Sequence, residues 1–399
     1  MSYRALSEEE AKEYALSIPH LFPEHAQLVS REIGDGNLNL VFHIQDTLSN
    51  KSIIFKQALP YARIVGESWP LTLDRARIEY HALVRQKELC PDLVPEVYHY
   101  DAELALTIME DLSDHVIMRK GLIEGNQYPL FATHISTFLA HTLFYNSDFF
   151  LAPDVKKNQV ITFTNPELCK ITEDLVFTEP FFDAEQNSFN ELIREDVEKI
   201  WADTELKKEV ASLKFSFLTA AETLLHGDLH TGSIFVTKES TKVIDPEFAY
   251  YGPMGFDLGA VIANLLLNFA SQEGHLAGKP EKKEFQEYLL NTTDQLWEGF
   301  EREFTKLALE QGQDPSFKEA AIIKEFLQKV KKDTLGFAGC KMIRRVIGLA
   351  SVADLESIAD PAVRAQAERI ALHLGRQLIL NRREWSQSTS IKAELVNVL

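Results

Sequence analysis

The chain changes character near residue 112, and this limits its possible folds more than any other feature. Before that point, short runs of β-branched or alternating apolar residues are broken by turns. They are LVSREIG (28–34), LVFHIQD (40–46), SIIFKQAL (52–59) and LALTIME (104–110), with GDGN and TLSNK between the first three. Alternation bounded by turn residues marks strands. TLDRARIEYHALVRQKEL (72–89) instead spaces Leu73, Ala76, Tyr80, Leu83 and Val84 as a helical stripe, with Thr72 as N-cap. A small sheet carrying one helix is expected there. Beyond residue 113 the pattern is helical over 129–146, 188–225, 256–272, 283–311, 318–348 and 361–384. Its one interruption is GSIFVTKESTKVID (232–245), two short strands around a KES turn. No internal repeat or long linker is visible. The expected class is α+β, with a β-rich lobe over 1–112, a larger, mostly helical lobe over 113–399 and a cleft between them.

Composition removes several alternatives. The 399 residues are 45% hydrophobic and 25% charged, as in an ordinary globular protein. The net charge of −19 repels nucleic-acid phosphates, and no Lys/Arg cluster reverses it locally. Cys90, Cys169 and Cys340 are too few and too far apart for a disulfide framework or a CxxC metal site, so a reducing cytoplasm is expected. The opening residues MSYRALSEEEAKEYA show no apolar run behind a basic start, so no secretory leader is expected. The longest apolar stretch, LGAVIANLLLNFA (258–270), is too short to span a membrane and suits a buried helix.

Five stretches carry chemistry. EIGDGNLNLVFHI (32–44) reads as strand, glycine-rich turn, strand, with Gly34-x-Gly36-x-x-Asn39 spacing. Glycines let backbone N–H groups approach phosphate oxygens, although a simple hairpin turn reads the same way. In IIFKQA (53–58), Lys56 stands in an apolar strand and either faces solvent or reaches phosphates as a point charge. Glu79, or less well Glu88, is a partner that would hold it extended. TIMEDLSD (107–114) ends a strand at the lobe boundary, where Glu110, Asp111 and Leu112 would offer mainly main chain to a base.

HGDLHTGSIF (226–235) is the strongest signal. Asp228, at a turn after a helix and before a strand pair, is placed to orient a hydroxyl proton during phosphoryl transfer. His226 reads as a packed loop histidine. The alternation His226-x-Asp228-x-His230 also permits a metallohydrolase, but the further ligand motifs such an enzyme needs are absent. In VIDPEFAYYGPMGFDLG (243–259), Asp245 and Glu247 sit at i and i+2. On extended backbone they would face one cation, and hard oxygens suit Mg²⁺. Asp257 would brace the catalytic loop or cap the next helix.

Taken in order, GDGNLN, Lys56, Glu79, MEDL, HGDLH, DPE and GFDLG resemble the protein-kinase-like aminoglycoside and choline phosphotransferase superfamily. HGDLHTGSIF with IDPEFA, VGESWPLTLDRAR (65–77) and IRRVIGLA (343–350) more closely resemble the methylthioribose kinase family across nearly the whole chain. The resemblance implies a two-lobed protein-kinase-like fold, ATP and Mg²⁺, and phosphorylation of the 1-hydroxyl of a methylthio sugar in methionine salvage by a cytoplasmic homodimer. By the same resemblance, Asn39, Lys56 and the 110–112 hinge (Glu110, Asp111, Leu112) fall in the nucleotide site. Asp245, Pro246 and Glu247 fall in the metal and phosphate site, with Asp245 and Glu247 as ligands. Asp228 is the catalytic base and substrate contact, and Arg344 and Arg345 form a twin-arginine element of the sugar site, Arg344 touching substrate and Arg345 supporting it. Trp69 is either a lid over the sugar or a packing aromatic. Ser233 stands where the wider superfamily has a metal-binding Asn, and the DxE pair would take over that duty. The rival readings are a homoserine, choline or aminoglycoside kinase of the same fold and a non-catalytic nucleotide-binding scaffold.

Overall fold

The computed structural model describes residues 3–33, 38–61 and 70–399. The glycine-rich turn (Gly34, Gly36) and Trp69 therefore lie outside the described residues. The chain divides into two compact units. The first takes the residues up to Asp114 together with Lys242–Phe248; the second takes His115–Thr241 and Ala249–Leu399.

The first unit is built on an antiparallel sheet of β1 (Leu28–Glu32), β2 (Asn39–Asp46), β3 (Ser52–Ala58), β4 (Val97–Asp101) and β5 (Leu106–Glu110). The spatial order is β1-β2-β3-β5-β4. Side chains alternate across a strand, so Ile53 and Phe55 of β3 enter one face of the sheet. There they meet Phe42, Ile44, Leu106 and Ile108, and helix α1 (Glu8–Ser17) closes that core with Ala11 and Ala15. Lys56 leaves β3 from the opposite face. On that side helix α2 (Asp74–Leu89) packs through Ala76 against Ala58 and Ala105.

Two elements go beyond the single helix and the strands expected. α1 is fixed by a capping box: Ser7 Oγ accepts from Glu10 N at 3.3 Å, and Glu10 Oε2 accepts from Ser7 N at 2.9 Å. β4 is only partly buried, so VYHYD shows no apolar alternation to read. Helix α2 starts at Asp74, and Thr72 stands one residue further out than an N-cap, its Oγ1 accepting from Asp74 N at 3.1 Å. The apolar stripe of α2 holds at Ala76 and Leu83, but its buried face also takes in Arg75 and Glu79.

The second unit is mostly helical. Its helices are α3 (Met118–Ile123), α4 (Phe131–Tyr145), α5 (Pro153–Thr162), α6 (Pro166–Phe177), α7 (Arg194–Ala202), α8 (Thr204–Thr219), α9 (Gly255–His275), α10 (Lys282–Gln311), α11 (Ala320–Ile347), α12 (Ala353–Glu356), α13 (Pro361–Leu380), α14 (Arg382–Trp385) and α15 (Ile391–Val398). α9 is the central helix, buried from Gly255 to Gln272, with α10, α11 and α13 packed along it. A Cβ at Gly259 would stand 2.7 Å from Thr334 O and 2.9 Å from Phe337 Cβ, so α9 and α11 touch backbone to backbone. The continuous helix expected over 188–225 is broken. Asp203 ends α7 and caps α8, its side chain accepting from Leu206 N at 3.0 Å, and α8 stops at Thr219. Among the described residues, no helix is long and apolar enough to cross a membrane.

Short strands frame the HGDLHTGS sequence (226–233). β7 (Thr223–Leu224) runs into it and pairs antiparallel with β10 (Tyr251–Gly252), which leads into α9. After it come β8 (Ile234–Val236), paired with β6 (Val116–Ile117), and then β9 (Thr241–Val243). The KES turn is closed by Thr237 and Ser240.

Candidate active site

Chemistry-bearing side chains gather in two clusters, one in each unit. In the first unit, Lys56 Nζ donates to Glu79 Oε1 at 2.6 Å and also pairs with Asp245. Glu79, and not Glu88, is thus its helical partner. Arg75, one turn before Glu79 on α2 and fully buried, donates from Nη2 to Leu38 O at 2.6 Å and holds Nε 3.4 Å from Glu247 Oε2. Asn39 Nδ2 donates to the same Glu247 oxygen at 3.3 Å. The carboxylates of Glu79, Asp245 and Glu247 lie within 4.8 Å of one another.

This cluster is short of positive charge: three carboxyls face one ammonium and one guanidinium. The titration of its members reflects that. Burial pushes Glu79 up to about 7 although Lys56 pulls it back, and Asp245 and Glu247 raise it further. Glu247 is likewise raised, first by burial and then by Asp245. Lys56 is disfavoured by burial, yet Asp245, Glu79 and Glu247 together raise it above its ordinary value. A hard divalent cation would displace the protons these carboxyls retain, so the residues present fit such an ion. Asp245 departs from the extended backbone expected of the DPE segment. Its φ is 70°, the left-handed region, which Asp tolerates better than most residues. The two carboxylates converge through this turn and not through strand alternation.

The side chains of residues 110–112 are held locally. The Asp111 carboxylate accepts from Ser52 Oγ at 2.6 Å and Ser113 N at 3.0 Å and lies 3.0 Å from His43 Nε2. Burial opposes its charge, but Ser113, Ser52 and His43 outweigh burial and lower its pKa. Glu110 Oε2 accepts from Glu96 N at 2.9 Å, and Leu112 is buried.

In the second unit, Asp257 in the first turn of α9 accepts two N–H groups of the HGD loop, His226 N at 2.7 Å and Gly227 N at 3.0 Å. His226 is buried and its Nδ1 accepts from Asp228 N at 3.3 Å, the packed loop role expected of it. Gly227 has φ 86°, a conformation that costs side-chain-bearing residues energy. The loop so held presents Asp228 to a set of basic side chains. Lys341 Nζ of α11 is 2.8 Å from Asp228 Oδ1, and His230 Nε2 is 3.5 Å from Oδ2. Burial alone would raise the Asp228 pKa. Lys341, His230, Arg345 and Arg344, in that order, instead hold it well below the usual carboxylate value.

Arg344 and Arg345 are both buried, and both donate through Nη1 to Ala350 O, at 3.4 Å and 3.0 Å. Ser233 is committed to its own loop, its Oγ lying 3.3 Å from His230 Nδ1. Among the described residues, the side chains close enough together to hold one ion are Glu79, Asp245 and Glu247, not His226, Asp228 and His230. Lys341 and Arg75 are not among the residues that the sequence motifs mark. Lys341 was readable, because it precedes Arg344 and Arg345 by three and four residues on one helix and so shares their face. Arg75 offered no such signal, since an arginine in an amphipathic helix is ordinarily exposed.

A Lys–Glu pair beside clustered carboxylates in one unit, and a braced aspartate on an HGD loop in the other, are the features expected of a phosphotransferase. Residues 29–288 match the model of the phosphotransferase enzyme family. A methylthioribose kinase of Geobacillus sp. (strain WCH70) is 51% identical over 98% of this chain and 95% of its own. One of Bacillus pumilus (strain SAFR-032) is 50% identical over 95% and 93%, and one of Yersinia pseudotuberculosis serotype O:3 (strain YPIII) is 48% identical over the same shares. The chain belongs to the phosphotransferase enzyme family and, within it, to the methylthioribose kinases. The α+β class read from the sequence is the one observed.

Proposed function

We propose that the chain transfers the γ-phosphoryl group of ATP to the 1-hydroxyl of 5-methylthioribose, giving 5-methylthioribose 1-phosphate for methionine salvage. The observation that carries phosphoryl transfer is Lys56, held by Glu79 beside the Asp245–Glu247 carboxylates. Lys56 meets phosphate oxygens as a point charge. Asp245 and Glu247 would hold Mg²⁺, which when bound neutralises phosphate charge. The main chain at 110–112 takes the adenine, and Asn39 orients Glu247. Asp228 orients the acceptor hydroxyl and receives its proton, while Arg344 contacts the sugar side and Arg345 supports it. The sugar follows from the relatives, whose names state it. Trp69 is proposed as a lid over that sugar, and a cytoplasmic homodimer as the working form.

The test offers the purified chain ATP and Mg²⁺ with methylthioribose, choline, homoserine or an aminoglycoside and measures ADP release. Release with methylthioribose alone is expected. Preference for another acceptor overturns the sugar assignment, and release with none favours a nucleotide-binding scaffold. Asp228→Ala lowers kcat on the order of 10²–10⁴-fold. Light scattering after gel filtration tests the dimer.

A further inference from the structure

Lys341 is a lysine whose side chain is 5% exposed, inside a helix, and neither phosphate nor metal chemistry in the first unit gives it a task. A buried ammonium is costly unless paired. Its partner is Asp228 Oδ1 at 2.8 Å, and beneath it lies the Phe256 ring, 4.7 Å from Nζ to the centroid. Phe256 adjoins Asp257, the residue that braces the loop carrying Asp228. The α9–α11 contact at Gly259 fixes the helix from which Lys341 departs. The ammonium and the carboxylate are thus each anchored from behind by rigid elements.

We propose that Lys341 is a positioning residue for phosphoryl transfer: by binding one oxygen of Asp228 it holds that carboxylate ionised and in one orientation, so that Asp228 meets the acceptor hydroxyl as a fixed, weakly basic hydrogen-bond acceptor. The proposal rests on the reading of Asp228 as the group that receives the acceptor hydroxyl. The charged and titratable groups around Asp228 are Lys341, Arg344 and Arg345 from α11, His230 from its own loop, Arg119 from α3 beyond His230, and Asp257 from α9 beyond Lys341. Burial favours the protonated carboxyl, and Lys341 is the largest of the charges that reverse this.

In the step itself, the acceptor oxygen bonds to the γ-phosphorus. The bond from that phosphorus to the bridging oxygen breaks, its electron pair leaving on ADP. The hydroxyl proton passes through Asp228 to solvent. A weak base suffices because the loose transition state puts little charge on the attacking oxygen. An anomeric hydroxyl is also more acidic than an ordinary alcohol, its ring oxygen withdrawing electron density from the reacting carbon.

The experiment uses the full-length chain, Mg-ATP and whichever acceptor the wild type phosphorylates, so a wrong sugar assignment leaves this test intact. Steady-state kinetics are measured between about pH 5 and 9 for the wild type, Lys341→Met, Lys341→Arg, Asp228→Asn and the double variant Asp228→Asn/Lys341→Met. Lys341→Met is expected to lower kcat on the order of 10²-fold with the KM for ATP unchanged. It should also bring an acid limb of kcat up into this range, where the wild type has none because its carboxyl is held well below the ordinary value, since a carboxylate without its cation holds its proton longer. Lys341→Arg takes the limb out of this range again. The double variant leaves neither charge unpaired, so it reports even where Lys341→Met does not fold, and its kcat should equal that of Asp228→Asn. A Lys341→Met enzyme with a wild-type pH profile, or a double variant in which the two losses multiply, overturns the proposal.

Discussion

Lys56 Nζ lies 2.6 Å from Glu79 Oε1, with the two side chains 12% and 4% exposed, so one strand and one helix are joined by a nearly dry ion pair. Removing the lysine leaves Glu79 facing Asp245 and Glu247 without an ammonium. Lys56→Met is expected to lose nucleotide binding and to lose stability by about 3–5 kcal/mol at alkaline pH, the usual result of stranding a buried charge. The sign of the pH dependence follows from Glu79. Its carboxyl is pushed up to about 7 from an ordinary 4.5, and loss of Lys56 pushes it higher. A raised carboxyl binds more protons folded than unfolded, so its contribution is most favourable below its unfolded value and declines as pH rises toward the folded one. The stability deficit of Lys56→Met should therefore widen from pH 5 to pH 8 in urea melts. A deficit that narrows over that range contradicts the assignment.

Glu247 accepts from Asn39 Nδ2 at 3.3 Å and lies 3.4 Å from Arg75 Nε. Both neighbours aim its carboxylate. Asn39→Ala should weaken divalent-cation binding roughly 10–100-fold, the usual effect of removing a hydrogen-bond partner of a ligand, and Glu247→Gln should weaken it more. The Mg²⁺ concentration giving half-maximal rate, together with direct Mn²⁺ titration by calorimetry, checks both. Equal metal affinity in wild type and Glu247→Gln removes Glu247 from the ligand set.

Asp257 accepts His226 N and Gly227 N through its two oxygens, at 2.7 Å and 3.0 Å. An asparagine at this position must turn an NH₂ group toward one of these donors. Leaving a buried donor unsatisfied costs about 1–3 kcal/mol, and displacing the loop by a fraction of an ångström lowers kcat on the order of 10²-fold. Asp257→Asn should show both effects in thermal melts and in turnover, with metal affinity unchanged.

The sequence made the strands of the first unit legible because each has a clear turn on one side and an apolar alternation of its own. β4 lacked that alternation, lying only partly buried. α1 carried a readable Ser7-x-x-Glu10 capping box that its otherwise polar composition concealed. The break at Asp203 was a capping aspartate inside what looked like one long helical pattern. At the site, Asp228, Asp245, Glu247, Lys56 and Glu79 were named from order and residue type, which local sequence records. What local sequence does not record is which charges meet across the fold. Arg75 reaching Glu247 and Lys341 reaching Asp228 depend on helix packing. The left-handed turn at Asp245 likewise cannot be read from its neighbours.

Asp228 predicts the opposite pH behaviour from Glu79. Its carboxyl is held well below the ordinary 3.8 by Lys341 and the groups around it, against burial. A depressed carboxyl contributes stability above its unfolded value and loses it as pH falls through the folded one. Asp228→Asn should be less stable than the wild type by an amount that stays level from about pH 8 to 5 and shrinks below about pH 4. Denaturant melts across that range test this. A difference that grows on acidification would mean that Asp228 folds protonated.

Gly259 places α9 against α11 at backbone distance, with Thr334 O and Ala338 N within 2.9 Å of where a Cβ would stand. Backbone atoms cannot rotate away as a side-chain tip can, so Gly259→Ala must separate the helices. Overpacking of this kind costs about 1–3 kcal/mol. The displaced helix carries Lys341, Arg344 and Arg345, while Lys56, Glu79 and Asp245 belong to the other unit. Gly259→Ala is therefore expected to lower melting temperature and kcat together, while the affinity for Mg-ATP measured by calorimetry stays at the wild-type value. A variant with full kcat would show that the reaction tolerates a shift of α11. A variant with lost nucleotide affinity would show that the damage spreads beyond the helix pair.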